Sequence, residues 1–194
     1  FSDPSQSSVE GNPTEEMDGA VMTAPTVAMP TKIISVGLGE MTVVKGSDSV
    51  LACLGLGSCI GVAAYDSTAG VSGMIHVVLR EAKGRKAEAP AKFADLAIPA
   101  LLQKMLSQGA MKSRLSISIA GGAQMALLSG SNPVFKIGEQ NLEAVKAALK
   151  SAGLALRHQD TGGNRGRTLR LHSNSGEVTV STAGDKPKVL QGGS

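Results

Sequence analysis

The sequence predicts an α+β domain in which strands outnumber helices, and three observations carry that expectation. Short apolar runs recur from Lys32 to Leu79, broken by glycine-rich punctuation. Two later stretches, Phe93–Gln108 and about Glu139–Ala152, instead hold apolar residues at helical intervals. Hydrophobic residues make up 42% of the 194-residue chain but aromatics only 2%, so the core must be built from Val, Ile, Leu, Met and Ala.

Residues 1–31 are rich in Ser, Pro, Thr and Glu and show no sustained periodicity, which predicts a disordered tail. They hold five acids (Asp3, Glu10, Glu15, Glu16, Asp18) and no Lys or Arg. Residues 32–194 therefore carry 19 basic and 11 acidic side chains, a net of +8. Such a surplus fits an acidic protein partner or an anionic surface, and equally a solvated basic surface. Nucleic acid is disfavoured, because strand binding uses stacked aromatics and here only Phe1, Tyr65, Phe93 and Phe135 exist. No apolar run nears the length that spans a bilayer, and the N-terminus lacks a secretory pattern, so no membrane insertion and a cytoplasmic location are expected.

Strands are expected at Lys32–Val36, Met41–Lys45, Val50–Leu54, Ile60–Tyr65 and Val71–Leu79. The last two are mixed apolar runs with small residues, as strands buried on both faces are. Arg80–Lys92 is polar and reads as a mobile loop. In Phe93–Gln108, Phe93, Leu96, Ala97, Ala100, Leu101 and Met105 follow helical spacing and Gly109 stops the helix. Pro99 fits there if Asp95 caps the start. Leu115, Ile117 and Ile119 alternate as a half-buried strand ending at Gly121-Gly122. In the second helix Leu142, Val145 and Leu149 form the apolar stripe. Strands at Leu154–His158, Thr168–Leu171 and Val178–Ser181 close a domain of about 32–183, and residues 184–194 read as a polar, disordered tail.

The stretch Leu54-Gly55-Leu56-Gly57-Ser58-Cys59-Ile60-Gly61 is where chemistry is expected. A thiol beside a glycine turn can be presented with backbone N–H groups around it. If Ile60–Tyr65 and Val71–Leu79 form a hairpin with loop Asp66–Ala69, Cys59 falls directly opposite His76. A three- or five-residue loop without a bulge would separate them onto opposite faces. Imidazole can take the thiol proton, the thiolate can add to a carboxamide, and the imidazolium can protonate departing ammonia. The Ser58 and Cys59 amides are candidates to hold the oxyanion. The spacing also fits a small buried hydrophobe at Cys59 and a satisfied core histidine at His76. Ile60 breaks the dinucleotide fingerprint, no phosphate loop exists, and Cys53, Cys59, His76, His158 and His172 lack metal-site spacing. No metal and no cofactor are expected.

Leu54–Cys59 followed by Tyr65-Asp66 and Gly73-Met74-Ile75-His76 resembles CheD, the chemoreceptor glutamine deamidase family. The likeness continues through Phe93–Pro99, Gly121–Met125, Ile137–Asn141 and Asp160–Arg167, in order, over about residues 32–182. The resemblance implies a three-layer α/β/β sandwich and deamidation of glutamines on the cytoplasmic helical domain of methyl-accepting chemotaxis receptors. It implies Cys59 as nucleophile and His76 as general base, and as partner, in organisms that have one, a CheC-type CheY phosphatase. The family commonly has threonine as third catalytic member six residues before the nucleophile, where this chain has Cys53. A thiol is a weaker hydrogen-bonding group. A backbone carbonyl or water can take over, activity can fall, or only a binding role can remain; the first is favoured, because Cys59 and His76 stand in otherwise matching context.

Three hypotheses follow. The first is an amidohydrolase working through a Cys59 thioester. The second is a non-catalytic adaptor that binds a chemoreceptor or a phosphatase. The third is redox control through a Cys53–Cys59 disulfide. A basic rim of Arg80, Lys83, Arg85, Lys86 and Lys92 after His76 is placed to meet an acidic receptor surface.

Overall fold

Lys32–Ser35 (β1) runs parallel to Ser49–Leu56 (β3), and together they open one of two five-stranded sheets. The computed structural model describes residues 32–84, 89–124 and 136–193. The expected acidic tail, Met125, and Arg85 and Lys86 of the expected rim lie outside the described residues. The outer sheet continues through Arg167–His172 (β8), Val178–Thr182 (β9) and Lys188–Gln191 (β10), in the order β1-β3-β8-β9-β10.

The central sheet comprises Met41–Lys45 (β2), Ile60–Asp66 (β4), Val71–Val77 (β5), Ser116–Gly121 (β6) and Leu156–Thr161 (β7), in the order β2-β5-β4-β6-β7. Ala94–Ser107 (α1) and Ile137–Ser151 (α2) cover one face of it. Ile60, Val62, Ile75, Val77, Ile117 and Ile119 point to the helices, where Ile98, Leu101, Met105, Val145 and Leu149 meet them. Ala63, Met74 and Ala120 point the other way, against Leu51, Cys53, Leu169, Leu171 and Val180 of the outer sheet. The layers are therefore helices, sheet and sheet, as the resemblance implied. Every residue of β4 and β5 is buried, which explains why Asp66, Ser72 and His76 are their only strongly polar side chains apart from the Tyr65 hydroxyl.

Three local expectations need correction. Residues from Gly184, expected as a polar tail, include β10, which pairs antiparallel with β9. Two of its four side chains, Lys188 and Gln191, are polar, as suits an edge strand from which only Leu190 packs against the core. Asp95 does not cap α1: the N-cap is Phe93 without a side-chain cap bond, and Asp95 instead accepts the Ala82 N–H at 3.2 Å. Pro99 consequently lies inside the helix rather than at its start.

The β4–β5 hairpin has a four-residue loop, Ser67–Gly70, one residue later than expected. The register shifts by two, so His76 faces Gly61 directly and Cys59 becomes its diagonal neighbour. An even shift keeps both on the same face. The hairpin is anchored by Asp66, whose buried carboxylate accepts from the Met111 and Ala69 amides and pairs with Arg114 at 2.9 Å. Burial pushes this carboxyl's pKa up, but Arg114 and the two amides outweigh it and bring it to about 2.

Candidate active site

β3 leaves the outer sheet through an irregularity. Its register against β8 slips between Cys53 and Leu56, where Leu54 and Gly55 are exposed and Gly55 has φ +65. Leu56 returns to the core, and Gly57-Ser58-Cys59 carries the chain across to β4 in the central sheet. Cys59 thus sits at one end of the sandwich, half-buried between the sheets.

Three contacts hold this turn. The Gly122 N–H donates to the Cys59 carbonyl at 2.8 Å, and the Ala123 N–H to the Gly57 carbonyl at 2.7 Å. Asn141 in the first turn of α2, buried, donates from Nδ2 to the Ser58 carbonyl at 3.0 Å and to the Val78 carbonyl at 2.9 Å. In the observed register Cys59 and Val78 would be the next pair after Ile60 and Val77. The Asn141 amide therefore ties the two strands where their ladder ends. The approach is close enough that a Cβ on Gly121 (φ +115) would stand 2.1 Å from the Cys59 carbonyl oxygen.

His76 lies on β5, 2% exposed, on the face toward the outer sheet. Its backbone is held by the turn between β1 and β2: the His76 N–H donates to the Glu40 carbonyl at 3.1 Å, and the Gly39 N–H to the His76 carbonyl at 2.9 Å. Nδ1 is 3.1 Å from the Val36 carbonyl. A carbonyl only accepts, so Nδ1 carries the proton, and Nε2 of the neutral ring is left with its lone pair. That nitrogen is buried and has no hydrogen-bond partner. An unsatisfied buried polar atom costs about 1–3 kcal/mol, and Ser72 Oγ is in the same state. Burial lowers the imidazole's pKa, opposed by the bond to Val36 and the charge of Glu40. Burial raises that of the Cys59 thiol, opposed by its own backbone amide. Both shifts favour a neutral thiol and a neutral imidazole at pH 7.

Cys53, the third position of the resemblance, is fully buried, and its thiol donates to the Ile75 carbonyl at 3.6 Å, not to His76. Burial, with Cys59 adding to it, pushes its pKa far up. The residue that orients the imidazole is Val36, through its backbone. Both thiols are free. Sequence reasoning missed Val36, Glu40 and Asn141. For Asn141 a signal existed, since it stands four residues before Val145 on the buried stripe of α2.

No His, Cys, Asp and Glu cluster that could hold a metal occurs among the described residues. No helix among them is long and apolar enough to cross a membrane. A groove between α1 and α2 is lined by Pro99, Leu102, Leu106, Ala144 and Ala148, and none of Cys53, Cys59 or His76 contributes to it. Cys59 is half-buried at that end of the sandwich, and no hydrogen bond joins its thiol to the buried Nε2 of His76.

The family model for CheD, chemotactic sensory transduction, matches residues 79–182. The chain is 46% identical over 155 residues to the probable chemoreceptor glutamine deamidase CheD of Symbiobacterium thermophilum, a match covering 79% of this chain and 94% of the relative. It is 42% identical over 160 residues to the protein of the same name from Lachnoclostridium phytofermentans, covering 82% and 99%. The family-model match begins after Cys59 and His76, but a span of 79% of 194 residues takes in both positions wherever it starts. On this similarity, spread over nearly the whole length of its relatives, the chain belongs to the CheD family.

Proposed function

We propose that the protein is a glutamine deamidase of chemoreceptors, working through Cys59 and His76. The observation that carries the mechanism is the buried, unpartnered Nε2 of a histidine whose Nδ1 is fixed on Val36, on the same strand-pair face as a half-buried thiol. The names of its relatives supply the substrate class, glutamine side chains of chemoreceptors.

The pair begins neutral. As the substrate carboxamide enters, Nε2 takes the Cys59 proton and sulfur forms a bond to the amide carbon. The tetrahedral oxyanion then needs donors, and the Ser58 and Cys59 amides remain the candidates in this chain. Nε2–H passes its proton to the amide nitrogen, the C–N bond breaks and ammonia leaves a thioester. Water attacks that thioester while Nε2 takes its proton; the carbon–sulfur bond breaks, and the thiolate recovers the proton from Nε2–H. Glutamate is released.

The partner is the helical cytoplasmic part of a receptor. A CheC-type phosphatase is a second partner where one is present. Arg80, Lys83 and Lys92 form the described part of the basic rim that meets an acidic receptor surface. Neutralising Lys83 and Lys92 together is expected to raise KM for a receptor fragment without changing kcat; an unchanged KM removes the rim from the account. Incubation with the receptor's cytoplasmic fragment tests the whole reading, through ammonia release that Cys59→Ala abolishes.

A further inference from the structure

The Val36–Gly37 peptide links two hydrogen bonds in series. Its carbonyl accepts from His76 Nδ1–H at 3.1 Å. Its N–H, which belongs to Gly37, donates to Glu40 Oε2 at 2.8 Å. Hydrogen bonds in a chain polarise one another. A carboxylate drawing on the N–H pushes electron density onto the carbonyl oxygen of the same plane, which strengthens its hold on Nδ1–H.

We infer that Glu40 is a positioning residue for His76, acting through the Val36–Gly37 peptide in the role that a side chain bonded directly to the histidine would play. The inference rests on the deamidase reading for its catalytic meaning, but the relay itself is a property of the fold. When Nε2 takes the thiol proton, the ring becomes an imidazolium and Nδ1–H becomes a stronger donor. The proton stays on Nδ1; only the polarisation of the peptide passes to the carboxylate. Glu40 also engages His76 through its main chain, accepting the His76 N–H, so the same short turn fixes both the backbone and the ring.

Gly37 is part of the device. A Cβ there would stand 3.0 Å from Glu40 Oε2 and 3.1 Å from its carboxyl carbon, so a side chain at this position presses the carboxylate aside by a few tenths of an ångström. Among the described residues, Cys53 from β3 and Cys59 from the turn before β4 belong to the cluster between the two sheets, and burial raises the pKa of both. Lys92 packs on Gly39 of the same turn through its Cβ. Glu40 is the charge that raises the imidazole's affinity for a proton.

The test uses the full chain, Glu40→Gln and Gly37→Ala. Gln keeps an acceptor for the Gly37 amide and loses the charge; Ala keeps the charge and shifts the carboxylate slightly. The His76 pKa, followed by NMR with His158 and His172 as internal controls, is expected to fall by roughly half a unit in Glu40→Gln and by less in Gly37→Ala. The acid limb of kcat/KM for receptor-fragment deamidation is expected to move to lower pH by the same amount at unchanged KM. An unmoved His76 pKa in Glu40→Gln overturns the inference, as does a lower rate with an unmoved acid limb, which marks a purely structural role. If the pKa falls but wild type itself releases no ammonia, the relay stands and the deamidase reading fails.

Discussion

The imidazole of His76 rests its Nδ1–H on the Val36 carbonyl at 3.1 Å, while the thiol of Cys53 turns away to the Ile75 carbonyl at 3.6 Å. The tautomer needed for base catalysis is therefore set by a main-chain atom that no side-chain substitution removes. Cys53→Thr and Cys53→Ala are expected to keep kcat/KM within roughly threefold of wild type, a difference below about 1 kcal/mol. Cys53→Ala should lose about 1 kcal/mol of stability through the small cavity it leaves. Steady-state kinetics and urea denaturation separate the two effects; a hundredfold loss of kcat in Cys53→Ala would restore that thiol to the catalytic set.

Asn141 is the side chain that bridges the Gly57–Cys59 turn and the end of β5. Asn141→Ala leaves the Ser58 and Val78 carbonyls without this donor, at about 2 kcal/mol of stability. The Gly57–Cys59 turn then loses its tie to the end of β5, and kcat is expected to fall about tenfold or more with KM little changed. Wild-type kcat in Asn141→Ala would show that the turn is held well enough by Gly122 and Ala123 alone.

Two glycines with positive φ near the site should respond differently to alanine. At Gly55 (φ +65) nothing stands within 4 Å of the added Cβ, so the cost is backbone strain of about 1 kcal/mol. At Gly121 (φ +115) the Cβ meets the Cys59 carbonyl at 2.1 Å and must push the nucleophile turn aside. Gly121→Ala is expected to abolish deamidation and to lower the melting temperature far more than Gly55→Ala. Thermal denaturation of the two variants side by side checks this ordering.

Acid stability should depend on Asp66. Its folded pKa, about 2, lies below the ordinary carboxylate value of 3.8, so the folded state binds this proton less readily than the unfolded chain. The contribution is complete above the unfolded value and disappears as pH falls through about 2; it amounts to roughly 2 kcal/mol. Arg114→Met removes the partner and strands a buried carboxylate, costing about 3 kcal/mol at pH 7. The variant's deficit should shrink between pH 4 and pH 2, measured by chemical denaturation.

The sequence was most legible where burial alone dictated the pattern. β4 and β5 are apolar at nearly every position because both of their faces are covered, and α2 shows its stripe because only one of its faces is. The hairpin length was readable but its position was not, since Asp66 pairs with Val71 and so belongs to the ladder rather than the loop. β10 was invisible because an edge strand needs few apolar residues. Within the site, Cys59 and His76 stood out as reactive side chains. Val36 acts through its carbonyl, which every residue has, and Glu40 acts through a peptide, so neither leaves a spacing to read.

The central claim, that a Cys59 thiolate deamidates receptor glutamines, is tested most directly by mass spectrometry of a chemoreceptor cytoplasmic fragment after incubation with wild type and with Cys59→Ala. Replacing an amide by a carboxyl adds about 1 Da per site, and the account predicts that gain with wild type and its absence with Cys59→Ala. A fragment deamidated as fast by Cys59→Ala as by wild type would contradict it.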